Sequence, residues 1–180
     1  MKRELSQTIE IPEGVEVELA GSKVTINGKE GKNEREFDMA NLSIEKKDNK
    51  IIIWHKKASK KEKRRMNTIA AHIRNMIKGV QEKFEYKLKV CFSHFPITVE
   101  IKNNEAIIKN FLGEKVPRKI KLPEGIEAKV DKEIIIIKSV NKELAGMAAA
   151  DLESVTRISS RDRRIFQDGI FITNKCGEEM

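Results

Sequence analysis

Apolar and polar residues alternate along most of the chain. Ile9 and Ile11 alternate with Thr8 and Glu10 up to the turn signal Pro12-Glu13-Gly14. Val15, Val17 and Leu19 alternate with Glu16 and Glu18, which predicts a half-buried strand. Gly21-Ser22 makes a turn and Val24 and Ile26 return as the hairpin partner. Asn27-Gly28 suits a second tight turn. Phe37, then Leu42 and Ile44, predict two short strands around a loop. Asp48-Asn49 is a turn before the apolar strand Ile51–Trp54.

The period then changes. Ser59-Lys60-Lys61-Glu62 has the capping-box form, and Met66, Ile69, Ala70, Ile73, Ile77 and Val80 recur at three and four. The opposite stripe carries Lys60, Arg64, Asn67, Arg74 and Lys78, with Gly79 as the expected stop. The helix should therefore pack one side on a sheet and turn a basic side outward.

Alternation resumes with Phe84, Tyr86, Leu88 and Val90. Ile97, Val99 and Ile101 follow Pro96, Asn103-Asn104 turn, and Ala106 and Ile108 return. Ile120 and Leu122 run up to Pro123-Glu124-Gly125, then come Ile126, Ala128 and Val130 and the apolar strand Ile134–Ile137. Asn141 suits the cap of a helix carrying Leu144, Met147, Ala148, Leu152 and Val155. Beyond Arg157 the pattern loosens, a short strand spans Ile170–Thr173, and residues 177–180 read as a frayed tail.

These segments repeat. Gly14–Gly31 matches Pro96–Gly113 at an offset of 82, with Val17 on Val99, Glu18 on Glu100 and Ile26 on Ile108. Ile51–Trp54 then meets Ile134–Ile137, and a helix follows each. The expected fold is α+β: two tandem copies of a small antiparallel or mixed sheet packed on one helix. The boundary is expected between residues 80 and 81, with the basic helix closing the first copy.

Charge adds an anionic partner to this picture. The net charge is +8 and the isoelectric point about 9.4. Residues 1–80 hold 18 Lys/Arg against 12 Asp/Glu, and residues 81–180 hold 18 against 16. A run such as Lys56–Arg65 is commonly a solvated face, but this one enters a helix whose stripe stays basic, and a rigid row of cations can follow phosphates. Arg161-Asp162-Arg163-Arg164-Ile165-Phe166 is a loop of Arg around one aromatic, a composition suited to RNA backbone.

Catalytic signatures are missing. The chain has no Gly-rich phosphate loop, no dinucleotide fingerprint and no nucleophile elbow. His55, His72 and His94 lack zinc spacing, and His72 reads as structural. The carboxylates mostly alternate with apolar residues, as on a solvated sheet face. No enzyme activity, cofactor, metal or small-molecule substrate is expected. Cys91 and Cys176 suit reduced thiols, Met1-Lys2-Arg3-Glu4 opens no leader, and the apolar runs fall far short of the ~20 residues that span a bilayer. A soluble cytoplasmic protein with no membrane partner is expected.

Several blocks together resemble one family. They are Asn75-Met76-Ile77-Lys78-Gly79-Val80, Tyr86-Lys87, His94-Phe95-Pro96-Ile97, Asn110-Phe111-Leu112-Gly113-Glu114-Lys115, and Arg161-Asp162-Arg163-Arg164-Ile165-Phe166-Gln167-Asp168-Gly169-Ile170. In order and spacing they are similar to the ribosomal protein L-six family of the large subunit, in its archaeal and eukaryotic branch, over essentially the whole chain. The resemblance implies two tandem sheet-plus-helix units. It also implies binding to large-subunit ribosomal RNA, mainly through the second unit, near the sarcin–ricin loop and the stalk base where translation factors dock. Neighbouring ribosomal proteins are further implied partners. The bacterial branch carries a helix motif G-x-x-A-A-x-I-R. Gly146, Ala149, Ala150 and Leu152 fit it, but Glu153 stands at the Arg position, so Arg161, Arg163 and Arg164 become the better phosphate candidates.

The expected RNA-binding residues are Arg157, Arg161, Arg163, Arg164, Phe166, Gly169, Lys115 and Arg118 in the second unit, and Lys60, Arg64, Arg74 and Lys78 in the first. Because the charge excess lies on the first unit, the Lys56–Arg65 segment is open to a different RNA helix or to an acidic protein. Two rival readings are a non-ribosomal RNA-binding accessory factor and a basic protein-interaction scaffold.

Overall fold

A computed structural model describes residues 3–39 and 42–180. Met1 and Lys2, read above for a leader, and part of the loop between Phe37 and Leu42 lie outside the described residues. The chain divides into two compact units, Met1–Lys83 and Phe84–Met180.

In the first unit, β1 (Arg3–Glu10), β6 (Lys50–Ala58) and β5 (Ser43–Lys47) form one sheet in the order β1-β6-β5. The strands β2 (Glu16–Ala20), β3 (Lys23–Gly28) and β4 (Gly31–Glu36) form a second. Gly21 turns the first hairpin at φ +61, a left-handed conformation that glycine adopts without a Cβ clash, and Val17 then pairs with Ile26. The helix α1 (Lys60–Gln81) begins with the expected capping box: Glu62 accepts from the Ser59 amide at 2.9 Å and from its hydroxyl. The Ser59 hydroxyl and amide hold the Glu62 carboxyl well below its ordinary range, at about 2. Met66, Ile69, Ala70, Ile73, Ile77 and Val80 are buried, as are Val24, Ile26, Ile51 and Ile53. Each of the Val, Ile and Met side chains contributes roughly 1.5–3 kcal/mol when fully removed from water.

The second unit repeats the order. β7 (Phe84–Cys91), β8 (Thr98–Lys102), β9 (Glu105–Lys109), β10 (Arg118–Lys121), β11 (Glu127–Asp131), β12 (Ile134–Ser139) and α2 (Lys142–Val155) correspond to β1 through α1. The three strands β8, β9 and β10 form one sheet, and β11, β12 and β7 lie in a larger one. The N-caps Ser59 and Asn141 are 82 residues apart, the offset of the hairpins. Tyr86, Leu88, Ile108, Phe111, Ile135, Ile137, Ala148, Leu152 and Ile170 build the core. The fold is α+β with two tandem sheet-and-helix copies, all strand pairs are antiparallel, and each copy divides its strands between two sheets.

One addition has no counterpart among the described residues of the first unit. β13 (Gly169–Lys175) pairs with the far side of β7, and β14 (Glu178–Glu179) pairs with β13. The expected frayed tail is thus partly a strand, returned by Gly177 at φ +94. A second correction concerns Gly79. It lies inside α1, buried, and the helix continues to Gln81 with the Glu82 amide bonded to the Lys78 carbonyl. A third concerns β4. Its sequence Gly-Lys-Asn-Glu-Arg-Glu shows no apolar alternation, yet it pairs with β3 along its whole length and buries Asn33.

Candidate nucleic-acid interface

The second unit places four arginines in the loop just past the end of α2. Thr156 caps the helix, and its hydroxyl accepts the amide of Ile170 at 2.9 Å. The helix end is thereby tied to β13, and residues 157–168 loop out between them. Within the loop Asp162 accepts the Arg164 amide at 2.9 Å and the Arg164 guanidinium at 3.1 Å. Arg164 holds the Asp162 carboxyl below its ordinary range. Arg157, Arg161, Arg163 and Arg164 are all exposed.

Asp168 anchors the loop's far end and is only 1% exposed. It accepts the Ser93 hydroxyl at 2.9 Å, the Ser93 amide at 3.2 Å, the His94 amide at 3.3 Å and His94 Nδ1 at 3.2 Å. Burial pushes its carboxyl up, but the donors from His94 and Ser93 together outweigh burial and leave it below the usual aspartate range. Ser, His and Asp meet here without forming a nucleophilic relay. Ser93 Oγ lies 3.0 Å from His94 Nδ1, but that nitrogen also faces Asp168 at 3.2 Å. A Ser-His-Asp relay needs the hydroxyl and the carboxylate on opposite ring nitrogens, and here both meet Nδ1.

The anchored His94 ring stacks on Phe166, centroids 5.0 Å apart and planes 25° apart. Arg161 lies over the same Phe166 ring at 4.8 Å. Beside this ladder a groove of about 840 Å³ is walled by Phe92, Phe171, Ile165, Arg157 and Arg163. Phe92, Phe171 and Ile165 are exposed, an apolar and aromatic surface ringed by guanidinium groups. Such a surface can pair phosphate with Arg and stack unpaired bases on aromatic faces.

The sequence-expected residues fall into groups. Arg157, Arg161, Arg163, Arg164 and Phe166 come together in the loop. Gly169 is buried at the start of β13, where a Cβ would meet the Phe171 ring at 3.2 Å, so it seats the strand. Lys115 is exposed on a different loop. Arg118 is turned inward: it donates to Glu114 at 2.8 Å and to the Val155 carbonyl at 2.6 Å, and lies over Phe111 at 4.3 Å. Lys60, Arg64, Arg74 and Lys78 stand exposed along one side of α1. His72 is structural, with Nδ1 3.2 Å from Arg35 Nη1. Ser93, His94 and Asp168 were not read as a unit from the sequence, although His94 and Asp168 sit in two of the blocks quoted above. Among the described residues no cluster of His, Cys, Asp or Glu suits a metal ion, and no helix is long and apolar enough to cross a membrane.

A duplicated α+β fold with an arginine loop on its second copy defines a class of two-copy basic proteins. The chain belongs to the ribosomal protein L6 family, whose model matches residues 11–83 and 95–169. It is 42% identical over 174 residues to the large ribosomal subunit protein uL6 of Methanococcus vannielii, covering 97% of this chain and 96% of that one. To the protein of the same name from Desulfurococcus amylolyticus it is 45% identical over 174 residues, 95% of each chain. The same-named protein from Staphylothermus marinus is 45% identical over 177 residues, 96% of this chain and 95% of its own.

Proposed function

We infer that this chain is a structural constituent of the large ribosomal subunit, in the cytoplasm, and works without catalysis. Its full-length likeness to proteins of that name supports the role. It binds large-subunit ribosomal RNA mainly through the second unit, near the sarcin–ricin loop and the stalk base, beside neighbouring ribosomal proteins and docking translation factors. The observation that carries the RNA assignment is the anchored ladder Arg161–Phe166–His94 beside the groove of Arg157 and Arg163. Arg164 adds to the same field in part, since Asp162 already holds its guanidinium. Lys115 is a second, separate contact. Arg118 serves by holding Glu114 and the end of α2 in place.

The test is retention on large subunits through a high-salt wash, followed by hydroxyl-radical footprinting of the RNA. Co-sedimentation with protection at the sarcin–ricin loop is expected. Binding to RNA with sedimentation free of subunits would favour an accessory factor, and protection elsewhere would move the site.

A further inference from the structure

The two copies differ in one edge. In the second unit β7 has strands on both sides, β12 and β13. In the first unit the corresponding strand β1 pairs only with β6 and ends its sheet, among the described residues. The orientation of its backbone follows from one bond. The Ile11 amide donates to the Asn49 carbonyl at 2.8 Å, on the β6 side. Backbone groups alternate along a strand, so the amides and carbonyls of Ser6, Thr8 and Glu10 face outward. The second copy agrees: the Val90 amide faces the β12 side, while the Glu85 carbonyl, one position out of phase with it, accepts from Cys176 just beyond β13.

The helix above the open edge differs as well. With the N-caps aligned, Arg64, Asn67 and Arg74 of α1 correspond to Gly146, Ala149 and Thr156 of α2. In the second copy these positions are small, Ala149 is fully buried, and Thr156 binds the amide of Ile170 in β13. In the first copy they are long, polar and exposed. Asn67 accepts from Gln7 of β1 at 3.1 Å, which sets this side of α1 over the edge strand. Lys60, Arg64, Arg74 and Lys78 lie on the same side by helical spacing. None of the four has an acidic partner among the described residues.

We propose that the outer edge of β1 takes an extended acidic segment of another protein as an added antiparallel strand. The position of β13 on β7 is the template for its geometry. Its charge follows from the helix: side chains on the α1 side meet four cations, so acids belong there. Side chains on the opposite face meet Ser6 and Thr8, flanked by Glu4 and Glu10, so neutral hydroxyl residues belong there. Main-chain bonds supply affinity and the alternating side chains supply choice of partner. A β13-like apolar strand is disfavoured, because Arg74 stands where Thr156 binds β13 in the second copy, and Arg64 where Gly146 lies over Tyr86 of β7.

The test uses the full chain and a fluorescein-labelled ten-residue peptide of alternating Glu and Thr. A single-stranded RNA decamer is the comparison. Saturable peptide binding is expected, with amide exchange at Ser6 and Thr8 slowed at least tenfold. Thr8→Pro removes one outward amide and spares the β6 ladder, since proline is tolerated on an edge. It should weaken the peptide at least tenfold and leave the decamer unchanged. K60E/R64E should likewise weaken the peptide at least tenfold. No saturable peptide binding, or binding that survives Thr8→Pro in a protein with wild-type circular dichroism, overturns the proposal. So does loss of the decamer, and not of the peptide, in K60E/R64E. If Thr8→Pro does not fold, the exchange protection at Ser6 and Thr8 in the wild type decides alone.

Discussion

The hydroxyl of Ser93 donates to the carboxylate of Asp168 at 2.9 Å across 75 residues of chain. It holds the start of one loop to the end of another, and His94 rides on the same anchor into its stack with Phe166. Asp168→Asn removes the charge that these four donors share. It should destabilise the second unit by about 1–3 kcal/mol in urea unfolding. Amide exchange across 161–168 should rise as well. The pH dependence has a definite sign. The folded carboxyl lies below the usual value, so its contribution is fully present above the unfolded pKa of about 3.9 and is lost as pH falls through the folded value. Amide spectra of the loop should therefore hold at pH 5 and change only in strong acid, and a loop that loosens near pH 6 would contradict the anchor.

Arg161 and Arg163 should be separable from Arg164. Affinity for large-subunit RNA should fall steeply with salt, and each lost phosphate contact should flatten the log–log slope by about one. Arg161→Ala and Arg163→Ala should each do so. Arg164→Ala should change the slope less, because its guanidinium is already paired with Asp162 in the wild type. Filter binding between low and moderate salt measures this, and a wild-type slope in all three variants would place the loop off the RNA.

Arg118 gives the opposite pattern. Arg118→Ala frees Glu114 and the Val155 carbonyl and uncovers Phe111. It should cost about 2 kcal/mol of stability in the second unit, since hydrogen bonds to charged groups are lost. The salt slope should stay as in the wild type. A flattened slope with unchanged stability would return Arg118 to the RNA surface.

Gln7 carries a buried oxygen, Oε1, with no hydrogen-bond partner among the described residues, opposite Ile53 on β6. Gln7→Leu removes that acceptor and adds apolar surface to the core. Stabilisation by about 1 kcal/mol is expected, seen as a raised urea midpoint with an unchanged slope. Loss of stability would mean that the bond to Asn67 outweighs the unsatisfied oxygen.

The two units should fold separately. A fragment of residues 84–180 holds its own core, both of its sheets and its helix. It should give dispersed amide spectra and one cooperative melt, and a fragment without either would make the units interdependent.

Local signals were legible in the sequence and distant ones were not. The capping box at Ser59 and the Asn141 cap depend on residues within three positions, and both stand as read. The hairpins around Gly21 and Asn103-Asn104 were equally local. Gly79 misled because tertiary packing carries α1 on to Gln81, past a residue that often ends helices. β4 was invisible because a polar strand shows no alternation when only Asn33 turns fully inward. At the site, clustering of Arg in 161–164 was plain, but charge alone does not say where a guanidinium points, so Arg118 and Arg161 looked alike. The Ser93–His94–Asp168 anchor joins segments 74 and 75 residues apart, which no periodicity reports.

The placement of β13 on β7 also sets a schedule for making the protein. The first unit has all its strands and its helix once Gln81 has left the ribosome that synthesises it. β7 waits far longer, first for β12 and then for β13, whose residues pair with it across roughly 80 positions of chain. The arginine loop hangs between α2 and that last long-range pairing, so it is among the final parts to take shape during synthesis. A chain stalled or cut before Ile170 would carry every arginine of the loop and still lack the strand that holds them in place.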